Sequence, residues 1–156
     1  KMTINKHTKF MQYLINKYII WKFKTSNWEK RYRMVESDHN RILDELAVKD
    51  QNRMVRLTLA QQRISYSILK ELAKDNDESV VRQVIRKCLS DVKIISLIKE
   101  RNLPFVDECI KTESIKQVIE CGRFASLSSY YTLTEEDILV YVKNKINNAK
   151  EYGKVI

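Results

Sequence analysis

Between residues 42 and 87 the chain repeats one pattern of apolar and polar positions twice. In each copy, apolar residues recur at helical spacing, a short turn containing Asp follows, and a second apolar run begins with Val-Arg. The offset between the copies is constant, so that Leu46 corresponds to Leu72 and Arg56 to Arg82. Tandem helical units of this length are typical of an α-solenoid, in which neighbouring units share one core.

The polar residues of each copy have a predicted structural role. Asp50 and Asp75 end one helix and lie near the start of the next, where a carboxylate accepts backbone N–H bonds and meets the positive end of the helix dipole. Arg56 and Arg82 lie one turn inside the second helix, and we expect each to reach back to the Asp of its own copy. The predicted core comprises Leu46, Ala47, Val55, Leu59, Leu72, Ala73, Val81, Val84 and Ile85.

The pattern resembles the leucine-rich repeat variant, a member of the wider HEAT and armadillo group of α-solenoids. The resemblance covers roughly residues 42–100 and is carried by Leu43…Leu46-Ala47…Asp50…Val55-Arg56…Ala60 and by Leu69…Leu72-Ala73…Asp75…Val81-Arg82…Ile85. It implies a non-enzymatic scaffold whose second helices line a groove that holds a partner chain.

A third unit keeps the apolar spacing of the repeat and loses its polar pair. A helix is predicted to begin at Asp91, with Ile95 at a repeat position, and the next turn contains Pro104, which suits the first position of a helix. Glu108 stands where the repeat arginine would be, so no Asp–Arg pair is expected here. A separate short helix is predicted over residues 114–121.

The N-terminal segment is predicted to form two helices. The first, from about residue 8 to residue 24, carries a broad apolar stripe formed by Phe10, Leu14, Tyr18 and Trp21. Ser26 and Glu29 have capping-box spacing, so we expect Ser26 to begin the second helix. Two interpretations of the stripe are open: either it caps the solenoid core beneath a solvated lysine face, or its rings stack on bases while Lys and Arg contact phosphates.

The sequence therefore predicts one all-α domain over residues 1–156, a short right-handed α-solenoid of helical hairpins with capping helices at both ends. Residues 1–36 form the basic aromatic N-terminal helices, and residues 37–122 form the repeats, with Ser37 or Asp38 as the first N-cap. Residues 123–156 form a loop and a C-terminal capping helix that opens at Thr134. With only two glycines and one proline, the chain lacks the turn residues that an all-β fold requires.

The basic residues are concentrated at one end of the chain. Nine Lys and Arg and a single acid precede residue 36, although the net charge of all 156 residues is +9. The repeats are thus close to neutral, whereas proteins that bind duplex nucleic acid usually spread positive charge over the docking surface. This distribution favours a protein partner, with DNA or RNA as the alternative.

The chemistry of known enzyme sites is not visible in the sequence. His7 and His39 have no ligand partners at metal-binding spacing, and two glycines cannot build a phosphate-binding loop. The three cysteines, Cys88, Cys109 and Cys121, are expected to be buried free thiols in a reducing cytoplasm. No enzymatic activity, cofactor, metal or membrane partner is predicted, and the oligomeric state is left open.

The predicted function is that of a helical-repeat adaptor, such as a bacterial or phage regulatory factor, which engages a partner protein through its basic N-terminal and second-helix surface. In the alternative, the same Lys and Arg side chains contact nucleic-acid phosphates. The candidate binding residues are Lys17, Lys22, Lys24, Lys30, Arg31, Arg33, Arg53, Arg86 and Lys87.

Overall fold

The computed structural model describes residues 6–38, 40–121, 134, 136–137, 139–140, 143–144 and 147. The regular structure of these residues is helical without a strand, which confirms the predicted all-α class. The helices are α1 (Lys6–Thr25), α2 (Trp28–Ser37), α3 (Arg41–Ala47), α4 (Arg53–Gln61), α5 (Tyr66–Leu72), α6 (Glu78–Cys88), α7 (Val92–Lys99) and α8 (Val106–Cys121). The chain divides into two compact units, residues 1–84 and 85–156. The single predicted domain concerns both units together and stays a prediction.

The starts of α2 and α3 differ from the predicted ones. Asn27 caps α2, because its side-chain oxygen accepts a bond from the backbone N–H of Lys30 at 3.0 Å. Ser26, the predicted cap, instead donates its hydroxyl to the carbonyl of Lys22 in α1 at 2.6 Å. Asn40 caps α3 in the same way as Asn27 caps α2, a little after the predicted position. Both cap predictions are wrong, because neighbouring Ser, Asn and Asp residues compete for this role.

The core of the first unit forms where consecutive helices pack together. α1 contacts α2 and α3, α2 also contacts α3 and α4, and α4 contacts both α3 and α5. Of the nine predicted core residues eight are buried, and Leu46 is half-buried. The buried residues of α3 are Leu43 and Ala47, which lie one helical turn apart and therefore share one face of the helix.

In the second unit, α7 begins as predicted. Asp91 caps it by accepting bonds from the backbone N–H groups of Lys93 and Ile94, at 3.0 and 3.1 Å. α8 runs without a break from residue 106 to residue 121, so the predicted separate helix over residues 114–121 is wrong. Pro104 lies just before α8 and not at its first position. Asn102, in the turn between α7 and α8, has a positive φ of 50°.

Little of the C-terminal region belongs to the described residues. The predicted loop before Thr134 and most of the predicted capping helix lie outside them, as do His39 and the side chains of His7 and Cys121. Thr134 and Asp137 form a reciprocal cap, in which the Thr134 hydroxyl accepts from the Asp137 N–H at 3.2 Å and the Asp137 carboxylate accepts from the Thr134 N–H at 3.1 Å. The predicted N-cap at Thr134 is confirmed.

Two of the cysteines are buried free thiols, as predicted: Cys88 and Cys109. Burial raises the pKa of the Cys88 thiol, and nearby Asp91 raises it further. In the described part of the chain, no helix has the length and apolar character needed to cross a bilayer.

Candidate interaction surface

An ion pair connects α2 to the turn before α4. The Arg31 Nε lies 2.6 Å from Oδ2 of Asp50, and Nη2 lies 3.1 Å from Oδ1. Nη1 of the same guanidinium donates to the carbonyl of Ser26 at 2.7 Å. The two side chains are only 20% and 3% exposed, so this two-pronged pair is largely shielded from water.

The same arrangement recurs one repeat later. Arg56 donates from Nε and Nη2 to the two carboxylate oxygens of Asp75, again at 2.6 and 3.1 Å, and from Nη1 to the carbonyl of Asp50 at 2.7 Å. Each Asp also stabilises its own turn, because Asp50 accepts from the N–H of Asn52 and Asp75 from that of Asp77, both at 2.8 Å. We call these two ion pairs the Arg–Asp ladder.

The ladder corrects the predicted direction of pairing. The predicted partner of Arg56 is the carboxylate of Asp50, in its own copy, but the guanidinium contacts that of Asp75, in the next one. In its own copy, Arg56 bonds only to main-chain carbonyls, those of Asp50 and Gln51. Arg82 bonds to Glu78 on its own helix at 2.7 Å. The carboxylate bonds of the ladder therefore join consecutive hairpins, while the Nη1 bonds of Arg31 and Arg56 reach carbonyls in the turn of their own hairpin.

Arg31 is the ladder residue that sequence reasoning missed. Arg31 precedes Arg56 by the same interval by which Asp50 precedes Asp75, and this equal spacing is a usable signal for an additional copy of the repeat. The Val-Arg pair that marks the other copies is incomplete here, because Lys30 stands where the Val is expected. The structure gives the Arg31 guanidinium two protein partners, Asp50 and the Ser26 carbonyl.

The remaining candidate arginines beyond α2 also lie beside carboxylates. Arg53 is 4.0 Å from Asp77, in the first unit. Arg86 is 3.3 Å from Glu113, in the second unit. Lys87 is exposed, and partial desolvation of its ammonium group lowers its pKa. These pairs reduce the positive charge that the second helices can offer to a phosphate.

The apolar stripe of α1 does not enter the core. Its four side chains share one face of the helix, and their exposed fractions are 60% for Phe10, 45% for Leu14, 57% for Tyr18 and 62% for Trp21. We call these four residues the outer stripe. The predicted role as a core cap is therefore wrong, since the outer stripe is open to solvent. The Tyr18 and Trp21 rings lie side by side, with centroids 6.2 Å apart.

A narrower face of α1 holds the helix on the first unit. Phe23 is 5% exposed, and the Arg31 guanidinium lies over its ring, 5.8 Å from the centroid. Ile19, one turn earlier and thus on the same side, is half-buried. The first arginine of the Arg–Asp ladder thus contacts the residue that α1 buries, so α1 is held by apolar packing and by a cation–π contact.

Lysines accompany the outer stripe along its length. α1 contains five lysines and no acidic residue. The ammonium groups of Lys17 and Lys22 lie over the rings of Tyr13 and Tyr18, at 5.5 and 5.7 Å from the centroids. Within residues 6–38 and 40–121, no ion pair involves the exposed candidates Lys17, Lys22, Lys24, Lys30 and Arg33. These cations are therefore available to an external anion.

A polar cleft of about 360 Å³ lies over the repeat turns of the first unit. Its lining includes the ladder residues Asp50, Arg56 and Asp75, together with Glu71 and Lys74. Lys74 lies 3.3 Å from Glu71, so the charges of this cleft, apart from that of Lys49, are paired within the protein. A charged ligand would have to displace these bonds, which makes the cleft a weaker candidate than α1.

No family model matches this chain, and comparison with curated proteins and with solved structures likewise found no match.

The geometry thus separates two groups of candidate residues. The arginines of the repeat stabilise the scaffold, whereas the lysines of α1 surround exposed apolar and aromatic side chains. The surface formed by α1 offers both exposed apolar area and positive charge. Both features can stabilise the binding of a macromolecular partner. Among the described residues, no group of three metal-binding side chains lies together.

Proposed function

We propose that the protein is a non-enzymatic helical-repeat adaptor that binds a partner protein through α1. The first unit serves as the scaffold, and its recurring Arg–Asp ladder supports the interpretation of stacked hairpins as a short right-handed α-solenoid. The binding surface consists of the outer stripe and the basic flank, by which we mean Lys17, Lys22 and Lys24.

The exposure of the outer stripe is the observation that supports this proposal. Soluble monomers seldom leave large side chains together on one helix face, and contiguous exposed apolar groups usually mark an interaction site. Tyr and Trp are also the residues that contribute most binding energy at protein interfaces. Two of the four stripe residues are of these types, Tyr18 and Trp21.

Nucleic acid is the second candidate, and one observation favours it. Exposed rings beside lysines, such as Tyr18 beside Lys22, are the elements that bind single-stranded nucleic acid by stacking and phosphate contacts. Against it, Arg31, Arg53 and Arg56 already lie beside carboxylates of the protein. These arginines are therefore less available to phosphates than the lysines of α1, and a partner protein with a matching acidic surface is the better fit.

The test compares one charge-reversed variant of α1 with a matched control. Lys22→Glu changes a lysine that lies over a tyrosine one turn earlier, and Lys70→Glu changes a lysine placed in the same way over Tyr66 in α5. Each protein is used to capture partners from untreated and from nuclease-treated lysate, each at low and high salt. We expect one stoichiometric protein that binds the wild type and the Lys70→Glu variant and is lost with Lys22→Glu.

Two results would contradict the proposal. One is capture of nucleic acid alone, lost after nuclease treatment or at high salt, which would support the second candidate. The other is a captured protein whose binding does not distinguish Lys22→Glu from Lys70→Glu. In that case the partner uses a surface other than α1.

A further inference from the structure

We infer that the outer stripe is the docking site for an acidic amphipathic helix of the partner protein. The inference rests on the proposed function and specifies the chemistry of the partner at the same surface. Four features support it: the helical spacing of the stripe, its charge, the mixing of cations with rings, and its exposed area.

The spacing of the outer stripe matches that of a second helix. Phe10, Leu14, Tyr18 and Trp21 follow one another at steps of four, four and three, which places them in a row along α1. The row spans roughly 17 Å, or about three helical turns. A partner helix with apolar residues at i, i+3 or i+4, and i+7 would present the same repeat distance and could lie along this row.

The charge of α1 determines which partner helix fits. Lys17 and Lys24 lie on one side of the outer stripe and Lys22 on the other, by helical angle. Since α1 contains no acidic residue, a partner helix gains most if Asp or Glu flanks its apolar row. The same charge disfavours a second copy of this chain, because two α1 helices would bring five lysines against five.

The arrangement of cations and rings separates a protein helix from a lipid surface. A helix that lies in a membrane interface keeps its apolar face and its cationic face apart. In α1 the Lys17 and Lys22 ammonium groups lie over the rings of Tyr13 and Tyr18, so cations and rings are in contact at the two edges of the outer stripe. Carboxylates that flank the apolar side chains of a partner helix match this arrangement.

The exposed area of the outer stripe is large enough for such a contact. Given the typical surface of these side chains and their exposed fractions, the four residues present on the order of 400–500 Å². This lies within the range of the largest apolar patch on a typical monomer, about 300–600 Å², and such patches are often functional. Together with the flanking lysine stems, it approaches the contribution of one partner to a small interface.

The experiment is a selection from a phage-displayed library of helical peptides. Apolar residues are encoded at i, i+3, i+4 and i+7, and each flanking position is randomised between Glu, Gln and Lys. The purified full chain is the bait. We expect enriched peptides to carry Glu at most flanking positions, and resynthesised peptides to bind at least about tenfold more weakly to the Tyr18→Ser/Trp21→Ser variant.

A matched variant controls for the loss of an exposed aromatic side chain. Tyr66→Ser removes a half-exposed tyrosine of α5 that carries Lys70 over its ring, as Tyr18 carries Lys22. This variant should enrich the same peptides as the wild type. Circular dichroism and thermal unfolding of all variants verify that the fold is retained, which is expected because Tyr18 and Trp21 are exposed.

Three results would overturn the inference. The first is enrichment without a preference for Glu, or no enrichment over the Tyr18→Ser/Trp21→Ser bait. The second is binding of acidic peptides that depends on Lys22 but not on Tyr18 and Trp21. In that case the proposed function would stand, but the outer stripe would not be the docking site. The third is stripe-dependent binding of oligo(U), of phosphatidylglycerol vesicles or of a second copy, with no peptide bound.

Discussion

Asp75 accepts two parallel hydrogen bonds from the guanidinium of Arg56, from Nε at 2.6 Å and from Nη2 at 3.1 Å, although the two residues are far apart in the sequence. The Arg56 side chain is 17% exposed and that of Asp75 is 6% exposed. The hydrogen bond to Asp75 raises the pKa of Arg56 against the opposing effect of desolvation. Since Arg56 lies in α4 and Asp75 in the turn before α6, this pair holds α4 against the turn of the following helical hairpin.

Replacing Asp75 by Asn should lower the free energy of unfolding by about 2–3 kcal/mol, because it leaves a shielded guanidinium without its anion. Equilibrium unfolding in urea measures the change. The control is Glu45→Gln, which breaks the exposed pair between Arg41 and Glu45 and should cost less than about 0.5 kcal/mol. Equal losses in the two variants would show that the ladder contributes no more than a surface ion pair.

The two repeat arginines should differ in their effect on stability. Arg56→Ala removes a ladder residue, whereas Arg82→Ala removes a side chain that is 40% exposed and bonds to Glu78, which is 55% exposed. We expect Arg56→Ala to destabilise by about 2 kcal/mol more than Arg82→Ala. Urea midpoints compared at equal m-values provide the measurement. A larger loss for Arg82→Ala would contradict the assignment of the ladder to Arg31 and Arg56.

Glu113 should make part of the stability of the second unit dependent on pH. Burial raises its pKa, but the hydrogen bonds from Lys116 and Arg86 outweigh this effect, and the net pKa lies below its ordinary value of 4.5. A lowered pKa in the folded state means that this stabilisation is present above about pH 4.5 and disappears as the pH falls through the folded-state pKa.

The corresponding measurement is the urea midpoint of wild type and Glu113→Gln as a function of pH. The difference should be constant from pH 7 to about pH 5.5 and should shrink below pH 4.5. Asp107→Asn, which changes a carboxylate that is 76% exposed, is the control and should show a small difference at every pH. A difference that grows on acidification would contradict the sign of the Glu113 shift.

Substitutions on the two faces of α1 should differ strongly in their effect on the free energy of unfolding. Trp21→Ser removes an exposed side chain and should change the free energy of unfolding by less than about 0.5 kcal/mol. Phe23→Ala removes a buried ring and should cost about 3 kcal/mol or more. Thermal unfolding followed by circular dichroism distinguishes the two. A large loss for Trp21→Ser would mean that the outer stripe packs against another part of the chain.

Asn102 should tolerate Gly far better than Val. Its φ of 50° lies in the left-handed region, which Gly adopts freely and a β-branched residue adopts only with strain. We expect Asn102→Val to destabilise by about 1–2 kcal/mol and Asn102→Gly by less than about 0.5 kcal/mol. Asn76→Val, at another exposed turn position, is the control in the urea titration and should be milder than Asn102→Val.

The helices and most of the core could be predicted because apolar periodicity is a local property of the sequence. Val55 and Leu59, one helical turn apart, have to share one helix face wherever the helix packs. The caps could be located only approximately, since Ser26 and Asn27 are both able to accept the first N–H bonds of α2 and only one of them does so.

The candidate surface was harder to predict than the fold. A broad apolar stripe is the usual mark of a buried helix face, yet α1 is held by the narrower face that includes Ile19 and Phe23. The direction of the Arg56 bond was equally inaccessible, because it depends on how hairpins stack and not on the spacing within one copy. Which side of a helix faces the core, and which neighbour an arginine reaches, are decided by tertiary packing.

If the hairpins stack as the proposed solenoid, the Arg–Asp ladder would also allow the scaffold to be lengthened. The segment from Gln51 to Asp75 begins just after one ladder Asp, contains Arg56, and ends with the next ladder Asp. A tandem duplication of this segment would give every ladder Arg an Asp ahead of it, and would add one hairpin without leaving a ladder Arg or Asp unpaired. In the proposed solenoid, duplication of the coding sequence would therefore change the number of hairpins one step at a time.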